Sequence, residues 1–205
     1  SLDKRVYEIG DNTRLIGDDG AVGGIYQSEN YIVDRKDDIK EWFKINDSHK
    51  IMFEDRLRTM GITLNDDLCV INFRGGEYKN IPNILLRREY WRDSINHMKS
   101  INQNMEFLIV TDDVQTAKNY MPFDMKAIHV DIGFDFYVVN QAKWLIISNS
   151  TFSWWAAWLN DNSNKVWSQR EIYTSSFVYL DREGVLYDYD TCKKEALEYD
   201  KKIKK

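Results

Sequence analysis

The stretch of this chain most able to do chemistry lies between residues 145 and 160. Its apolar start, Leu145-Ile146-Ile147, predicts a buried strand, and its aromatic end predicts a helix. Between them lies a turn rich in hydroxyl groups, and one more serine follows in the helix: Ser148, Asn149, Ser150, Thr151 and Ser153. The N-terminus of a helix attracts anions because its first N–H groups lack intrahelical partners and the macrodipole is positive there. The pattern therefore predicts an anion-binding turn.

Purely structural roles could also explain these residues. Ser150 or Thr151 could do no more than cap the helix, and the tryptophans could do no more than fill the core. For one residue at a time, the structural role is the commoner one. A cap needs one hydroxyl, however, and this turn has three, so the string as a whole favours a binding site.

A second polar group surrounds the end of the apolar run at residues 68–73. It consists of Asn72, Arg74, Gly75, Gly76 and Glu77. The guanidinium fork of an arginine bonds two oxygens of a diphosphate at once, and glycines let backbone N–H groups come close to phosphate. Arg74 could instead be an ordinary surface charge, and the two glycines an ordinary turn.

Further polar residues follow the next two apolar runs. Asp112 and Asp113 come after residues 107–110, and His129 lies in the run at 127–130. An aspartate in this place could accept hydrogen bonds from a ribose hydroxyl or from guanine N–H groups. It could equally cap the following helix, which is the commoner role of an Asp after a strand. His129 on an apolar strand is more often a core histidine than a catalytic one.

Short apolar runs alternate with helical patterns from residue 67 onward, which predicts an α/β fold. We expect strands at 68–73, 107–110, 127–130, 144–148 and 165–167, and helices at 82–98, 113–120, 135–142 and from 151. This alternation is typical of a Rossmann-like, doubly wound parallel sheet. In such sheets ligands bind beyond the carboxyl ends of the strands, where all of the polar groups described above lie.

The first third of the chain has a different character. Residues 1–62 are predicted to connect to the Rossmann-like domain at 63–205 and to consist mostly of loop and helix, with a loop or short hairpin at 1–22. One helical face is expected from the spacing of three residues: Ile39, Trp42 and Phe43. A second helix, capped by Asp47 or Ser48, would end at Gly61.

Composition narrows the possible classes of protein. The 205 residues carry a net charge of −5 with both signs interspersed, so a nucleic-acid partner is not expected. No apolar run approaches the length of a transmembrane segment, and no GxxxxGK[ST] phosphate loop is present. Cys69 and Cys192 lie far apart without metal-binding spacing, which fits a reducing, cytoplasmic compartment and a buried core thiol at Cys69.

Two of these polar segments resemble a known family. The string SNSTFSWWAAWL at 148–159 is similar to the late signature of the alpha-1,2-fucosyltransferases. NFRGGEY at 72–78 resembles their early signature, in which Arg74 falls on the first of two arginines. Gly75 replaces the second arginine, Asn72 the histidine and Glu77 the aspartate of that signature. Four further segments resemble segments of this family and occur in the same order as in the family: 24–31, 109–113, 135–136 and 164–167.

The resemblance implies the C-terminal, donor-binding half of a two-lobed GT-B glycosyltransferase. The implied reaction is an inverting transfer of fucose from GDP-fucose to a glycan hydroxyl in alpha-1,2 linkage, without a metal ion. Arg74 would contact the diphosphate, and Asp135 and the turn after the fourth strand would belong to the donor site. Glu77 and Asp112 are the candidate bases. No metal site is expected, because the only Asp-x-Asp spacing, at 188–190, is typical of a solvated loop.

Two other functions stay open at this point. The chain could be a non-catalytic GDP-sugar or glycan-binding domain without the N-terminal lobe, since the glycine-rich GNQ segment of full-length members is not in this sequence. It could also be a generic Rossmann-like domain in which the tryptophan-rich helix is only core. Nucleotide binding would separate the last possibility from the other two.

Overall fold

The structure, a computed structural model, describes residues 32–81 and 85–160 together with five short strands outside those ranges. Two of these strands precede the main body: β1 (Leu15–Ile16) and β2 (Val22–Gly23). They pair in antiparallel fashion, which confirms the short hairpin expected near the start of the chain. A 3₁₀ turn at Val33–Arg35 leads into α1 (Lys36–Trp42) and α2 (Asp47–Thr59).

Strands and helices then alternate as the sequence predicts. In chain order they are β3 (Leu68–Phe73), α3 (Arg88–Ile101), β4 (Glu106–Thr111), α4 (Val114–Tyr120), β5 (Lys126–Ile128), α5 (Ile132–Gln141), β6 (Trp144–Ile147) and α6 (Thr151–Trp158). Three strands follow: β7 (Asn164–Trp167), β8 (Phe177–Leu180) and β9 (Leu186–Tyr187). All five predicted strands are confirmed; β8 and β9 were not predicted.

The seven strands from β3 onward form one sheet in the order β5-β4-β3-β6-β7-β8-β9. Every neighbouring pair is parallel except β8 and β9. From β3, the next two strands of the chain, β4 and β5, are added on one side. The following strand, β6, pairs with the other side of β3. This doubly wound α/β topology confirms the predicted fold class, and its switch point lies between β3 and β6.

Alternate residues of β3 face two separate apolar cores. Val70 packs with residues of α1, α2, α5 and α6 on one face of the sheet. Cys69, Ile71 and Phe73 pack with residues of α3 and α4 on the other. Both faces are covered, so the central strands are apolar throughout, as parallel strands usually are. Cys69 is fully buried, as expected, and burial raises the pKa of its thiol.

Several helix limits differ from the predictions. Asn46, and not Asp47 or Ser48, caps α2, since its side chain accepts a hydrogen bond from the backbone N–H of His49 at 2.9 Å. Gly61 has a φ of 63° just beyond this helix, which confirms the predicted end. Asp131 caps α5, so that helix starts at Ile132, three residues before the predicted start.

The prediction for residues 82–98 was wrong at its start. A 3₁₀ turn at Glu77–Asn80 follows β3, Arg87 has extended backbone, and α3 begins only at Arg88. The predicted apolar face of α1 was also wrong. Ile39 is buried, but Trp42 and Phe43 are 69% and 59% exposed, because the helix ends at Trp42.

None of the described helices has the length and apolarity that a bilayer crossing requires. The segments at 24–31 and 188–190 lie outside the described residues.

Candidate functional site

Most of the predicted site residues lie at the switch point of the sheet, at the carboxyl ends of β3, β4 and β6. Asn72 stands opposite Ile147 in the parallel register of β3 and β6, and the backbone N–H of Ser148 donates to the Asn72 carbonyl at 3.0 Å. Phe73 stands opposite Thr111 of β4 on the other side. The loop after β3 is therefore flanked by the loops after β4 and β6.

One buried network crosses the switch point. Ser153, in α6, donates a hydrogen bond through Oγ to Oδ1 of Asn72. Its Oγ also lies 2.9 Å from the Oγ of Ser148. The Asn72 amide donates in turn to the carbonyl of Val110, at 3.1 Å. This network ties α6 and β6 to β3 and β4, so Asn72, Ser148 and Ser153 hold the frame of the site.

A second network forms around Arg74. Its Nη1 lies 2.6 Å from Oδ2 of Asp112, and its Nη2 donates to Oε1 of Glu77 at 3.0 Å. Oδ1 of Asp112 accepts from the backbone N–H groups of Gly75 and Gly76 at 2.9 and 3.2 Å. Five residues singled out from the sequence thus form one cluster: Arg74, Gly75, Gly76, Glu77 and Asp112. In it, the N–H groups expected to meet phosphate are bonded to the Asp112 carboxylate.

The two glycines are needed for this close approach. A Cβ at Gly76 would collide with Oδ2 of Asp112 and lie 3.2 Å from its Cγ. A Cβ at Gly75 would lie 2.6 Å from Cε1 of Phe73. No side chain fits at either position without moving Asp112 or Phe73. Glycine is needed at both positions because it lets the backbone come this close to the two side chains.

Tyr78 completes the surroundings of Arg74. The Arg74 guanidinium lies over the Tyr78 ring, 5.6 Å from its centroid, in a cation–π contact. The Tyr78 hydroxyl donates to the carbonyl of Asn149 at the long distance of 3.5 Å, which links the β3 loop to the turn after β6. Burial raises the pKa of Tyr78, so its hydroxyl is protonated at neutral pH.

Asp113 has the simpler role that the sequence offered for an aspartate after a strand. It caps α4, since its Oδ1 accepts from the backbone N–H of Thr116 at 2.9 Å. Its Oδ2 also lies 2.5 Å from Nζ of Lys79. The hydrogen bonds from Lys79 and Thr116 hold the pKa of Asp113 well below its usual range.

The turn after β6 combines core and surface positions. Ser150 is the N-cap residue of α6, yet its side chain makes no capping hydrogen bond. The structural alternative, in which the Ser150 hydroxyl only caps the helix, therefore does not hold. Ser150 is buried and Thr151 is exposed. Trp154 and Trp158 are buried and stack with ring centroids 5.8 Å apart, which confirms the core role considered for the tryptophans.

Asp135, in the first turn of α5, lies further along the same edge of the sheet, beside the residues that follow β5. Its Oδ2 is 2.6 Å from Nδ1 of His129, and its Oδ1 accepts from the backbone N–H of Val130 at 3.2 Å. Burial raises the pKa of Asp135 although both contacts act in the opposite direction. The structure pairs this predicted donor-site residue with His129, two strands away from Arg74, and His129 itself is half exposed.

Sequence reasoning missed three participants. Tyr78 and Lys79 come four and five residues after Arg74, and only their place in the same strand-end segment could have indicated them. Tyr90, in α3, donates through its hydroxyl to the carbonyl of Ile147 at 2.6 Å. The carbonyl of the last residue of β6 thereby accepts a hydrogen bond. Among the described residues, no three His, Cys, Asp or Glu side chains gather in a way that could hold a metal ion.

A doubly wound sheet with an arginine held at its switch point defines a Rossmann-like α/β domain with a guanidinium where ligands of this fold bind. The family model described as Glycosyl transferase family 11 matches residues 22–185. This range is most of the chain, and the protein belongs to that family. The resemblance noted in the sequence is thereby confirmed.

Two curated relatives come from Escherichia coli. The chain is 29% identical to an alpha-1,2-colitosyltransferase over 150 residues, which are 67% of this chain and 50% of that protein. It is 25% identical to the O-antigen biosynthesis glycosyltransferase WbnK over 177 residues, or 79% of this chain and 58% of the relative. The chain spans about half the length of the curated relatives it matches.

Solved structures with a similar arrangement are more distant. The glycosyl transferase family 9 protein from Veillonella parvula DSM 2008 gives a TM-score of 0.48 at 13% identity, covering 67% of this chain and 41% of that one. POFUT1 in complex with GDP-fucose gives a TM-score of 0.45 at 9% identity, covering 63% and 48%.

Proposed function

We propose that this chain is the donor-binding part of an inverting glycosyltransferase that moves fucose from GDP-fucose to a glycan hydroxyl in alpha-1,2 linkage. The observation that carries the proposal is Arg74, held by Asp112 and Tyr78 at the switch point of the sheet in a member of glycosyl transferase family 11. An anionic diphosphate in this crevice would meet a guanidinium whose position is already fixed.

The reaction needs charge stabilisation at the leaving group. The acceptor oxygen bonds to C1 of the sugar, the bond from C1 to the diphosphate oxygen breaks, and the electron pair leaves with GDP. Arg74 and the first N–H groups of α6, which Ser150 does not cap through its side chain, are the groups proposed to stabilise that charge. No metal ion has a part in this proposal.

A base must take the proton of the acceptor hydroxyl. Of the two candidates from the sequence, Asp112 uses both carboxylate oxygens to hold Arg74 and the two glycines. Glu77 has a side chain that is 66% exposed and contacts Arg74 through one oxygen. Glu77 is therefore the candidate that we retain, and Asp112 becomes a structural carboxylate.

The linkage and the donor have separate support. A relative named alpha-1,2-colitosyltransferase supports the alpha-1,2 linkage, although the sugar in its name is colitose. The choice of fucose rests on the signature strings at 72–78 and 148–159. The cytoplasmic location expected from the cysteines stays part of the proposal.

The test is a thermal-shift comparison of GDP and GDP-fucose with UDP and NAD. A ligand at 100 times its Kd stabilises the folded state by about 2.7 kcal/mol. For a chain of this size, that corresponds to a rise in Tm of roughly 5–11 °C. We expect this rise with GDP and GDP-fucose alone. An equal response to UDP would contradict the guanine assignment, and no response to any nucleotide would contradict donor binding.

A further inference from the structure

Arg74 is held by two carboxylates whose surroundings differ. Asp112 is 25% exposed in its side chain and is anchored by two backbone N–H groups in addition to Arg74. Glu77 is 66% exposed in its side chain and reaches Arg74 through Oε1 at 3.0 Å. With both in contact, the single positive charge of Arg74 faces two negative charges.

This arrangement bears directly on anion binding. A diphosphate that approaches Arg74 meets a group of three charged side chains with a net charge of −1. The guanidinium also has one face against the Tyr78 ring. Its Nη1 and Nη2 are each bonded to a carboxylate, so two of its five N–H donors are occupied, and a phosphate that binds both nitrogens competes with these carboxylates for the guanidinium.

The cost of moving the two carboxylates is unequal. Releasing Asp112 would leave the N–H groups of Gly75 and Gly76 without their acceptor and would free the loop that carries Arg74. Releasing Glu77 breaks a single surface ion pair, whose strength is low because water screens it and a long side chain regains its freedom. Glu77 is the carboxylate that leaves.

We propose that Glu77 is a displaceable internal ligand of Arg74, which occupies the guanidinium in the empty site and gives way to the donor diphosphate, while Asp112 remains as the positioning residue. The proposal deepens the proposed function and rests on it, since the displacing anion is the diphosphate of the donor. In the occupied site, Glu77 is released towards solvent beside the reacting groups, where a carboxylate could accept the acceptor proton.

The two carboxylates therefore predict opposite effects on GDP affinity. Glu77→Gln removes the competing charge and keeps the shape, so GDP should bind about two- to fivefold more tightly, which is the strength of one exposed ion pair. Asp112→Asn places an amide N–H₂ against Nη1 of Arg74 or turns it towards the glycine N–H groups, so one contact is lost in either orientation. GDP should then bind about tenfold less tightly.

The experiment is isothermal titration of GDP into the parent chain and five variants at low salt. Glu106→Gln is the matched control, because Glu106 is an exposed residue at the first position of β4, on the opposite edge of the sheet. It makes the same change in net charge and should leave the Kd unchanged. The fourth variant combines Glu77→Gln with Arg74→Ala. It should give the same Kd as the fifth variant, Arg74→Ala alone.

The results separate the two proposals. A parent chain that does not bind GDP overturns the proposed function, and this inference with it. A parent that binds GDP while Glu77→Gln binds equally or more weakly overturns the inference alone. Tightening that persists in the Arg74→Ala background, or that Glu106→Gln reproduces, shows a general charge effect and also overturns it. Glu77 is exposed, so its variant tests the proposal even if Asp112→Asn fails to fold.

Discussion

Replacing Ser153 with alanine tests the buried network that joins α6 to β3. The Ser153 hydroxyl is fully buried and contacts both Asn72 Oδ1 and Ser148 Oγ. Its removal leaves these two buried groups short of a partner, and each such group costs about 1–3 kcal/mol. The Ser148 hydroxyl can rotate to recover part of this loss, so we expect Ser153→Ala to lower the free energy of unfolding by about 2–3 kcal/mol.

Urea denaturation and thermal unfolding measure this loss. For a chain of this length, it corresponds to a fall in Tm of roughly 4–12 °C. Ser100→Ala is the matched control, since Ser100 is exposed and donates only to the carbonyl of His97 at 2.7 Å. We expect that change to stay within about 0.5 kcal/mol of the parent.

A double variant sharpens the test. Ser148→Ala combined with Ser153→Ala should cost less than the sum of the two single changes, because neither serine is then left buried opposite a missing partner. A Ser153→Ala protein as stable as Ser100→Ala would refute the reasoning. So would strict additivity of the two buried changes, since it would show that the hydroxyls do not depend on each other.

Three further predictions follow from the same contacts. Arg74→Lys keeps the charge but loses the fork that bonds Asp112 and Glu77, so GDP binding measured by titration should weaken at least tenfold; unchanged binding would show that Arg74 is not the diphosphate anchor. Transfer from GDP-fucose by the full-length protein should persist in excess EDTA, whereas loss of activity that manganese restores would refute a metal-free reaction. The pKa of Asp113 is lowered on folding, so its charge stabilises the fold above the unfolded pKa, and this stability is lost as the pH falls below about 4. Urea titrations of Asp113→Asn and the parent should therefore differ at pH 7, and the difference should begin to shrink only below about pH 4, as the pH falls towards the lowered pKa of Asp113. A difference that stays constant down to about pH 2 would contradict the contribution of its contact with Lys79.

The sequence indicated the central strands more accurately than the helix ends. The apolar run at 68–73 coincides with β3, and the run at 107–110 lies within β4, because strands buried on both faces are apolar throughout. Helix starts depend on single caps. Asn46 and Asp131 fix two of them, and neither was chosen from the sequence because several neighbouring residues could serve equally well. The proposed division at residue 62 stays a prediction.

The exposure of individual side chains was also harder to predict from the sequence than the helical spacing of apolar residues. Trp42 and Phe43 have helical spacing relative to Ile39, yet both are exposed, and α1 ends at Trp42. Phe43 stacks on Trp155 with ring centroids 6.0 Å apart, a contact between residues more than a hundred positions apart. No local pattern carries that information.

The sequence by itself determined that the chain alternates strands and helices, that its polar residues lie at the ends of strands, and which family it resembles. Each of these follows from local order, because hydrophobic period and motif are properties of neighbouring residues. Only the tertiary structure decided which of these residues contact one another. Placing β3 between β4 and β6 brings Asp112 to Arg74 and Ser153 to Asn72. Contacts across adjacent strands depend on strand order and register, which residues close in sequence do not specify.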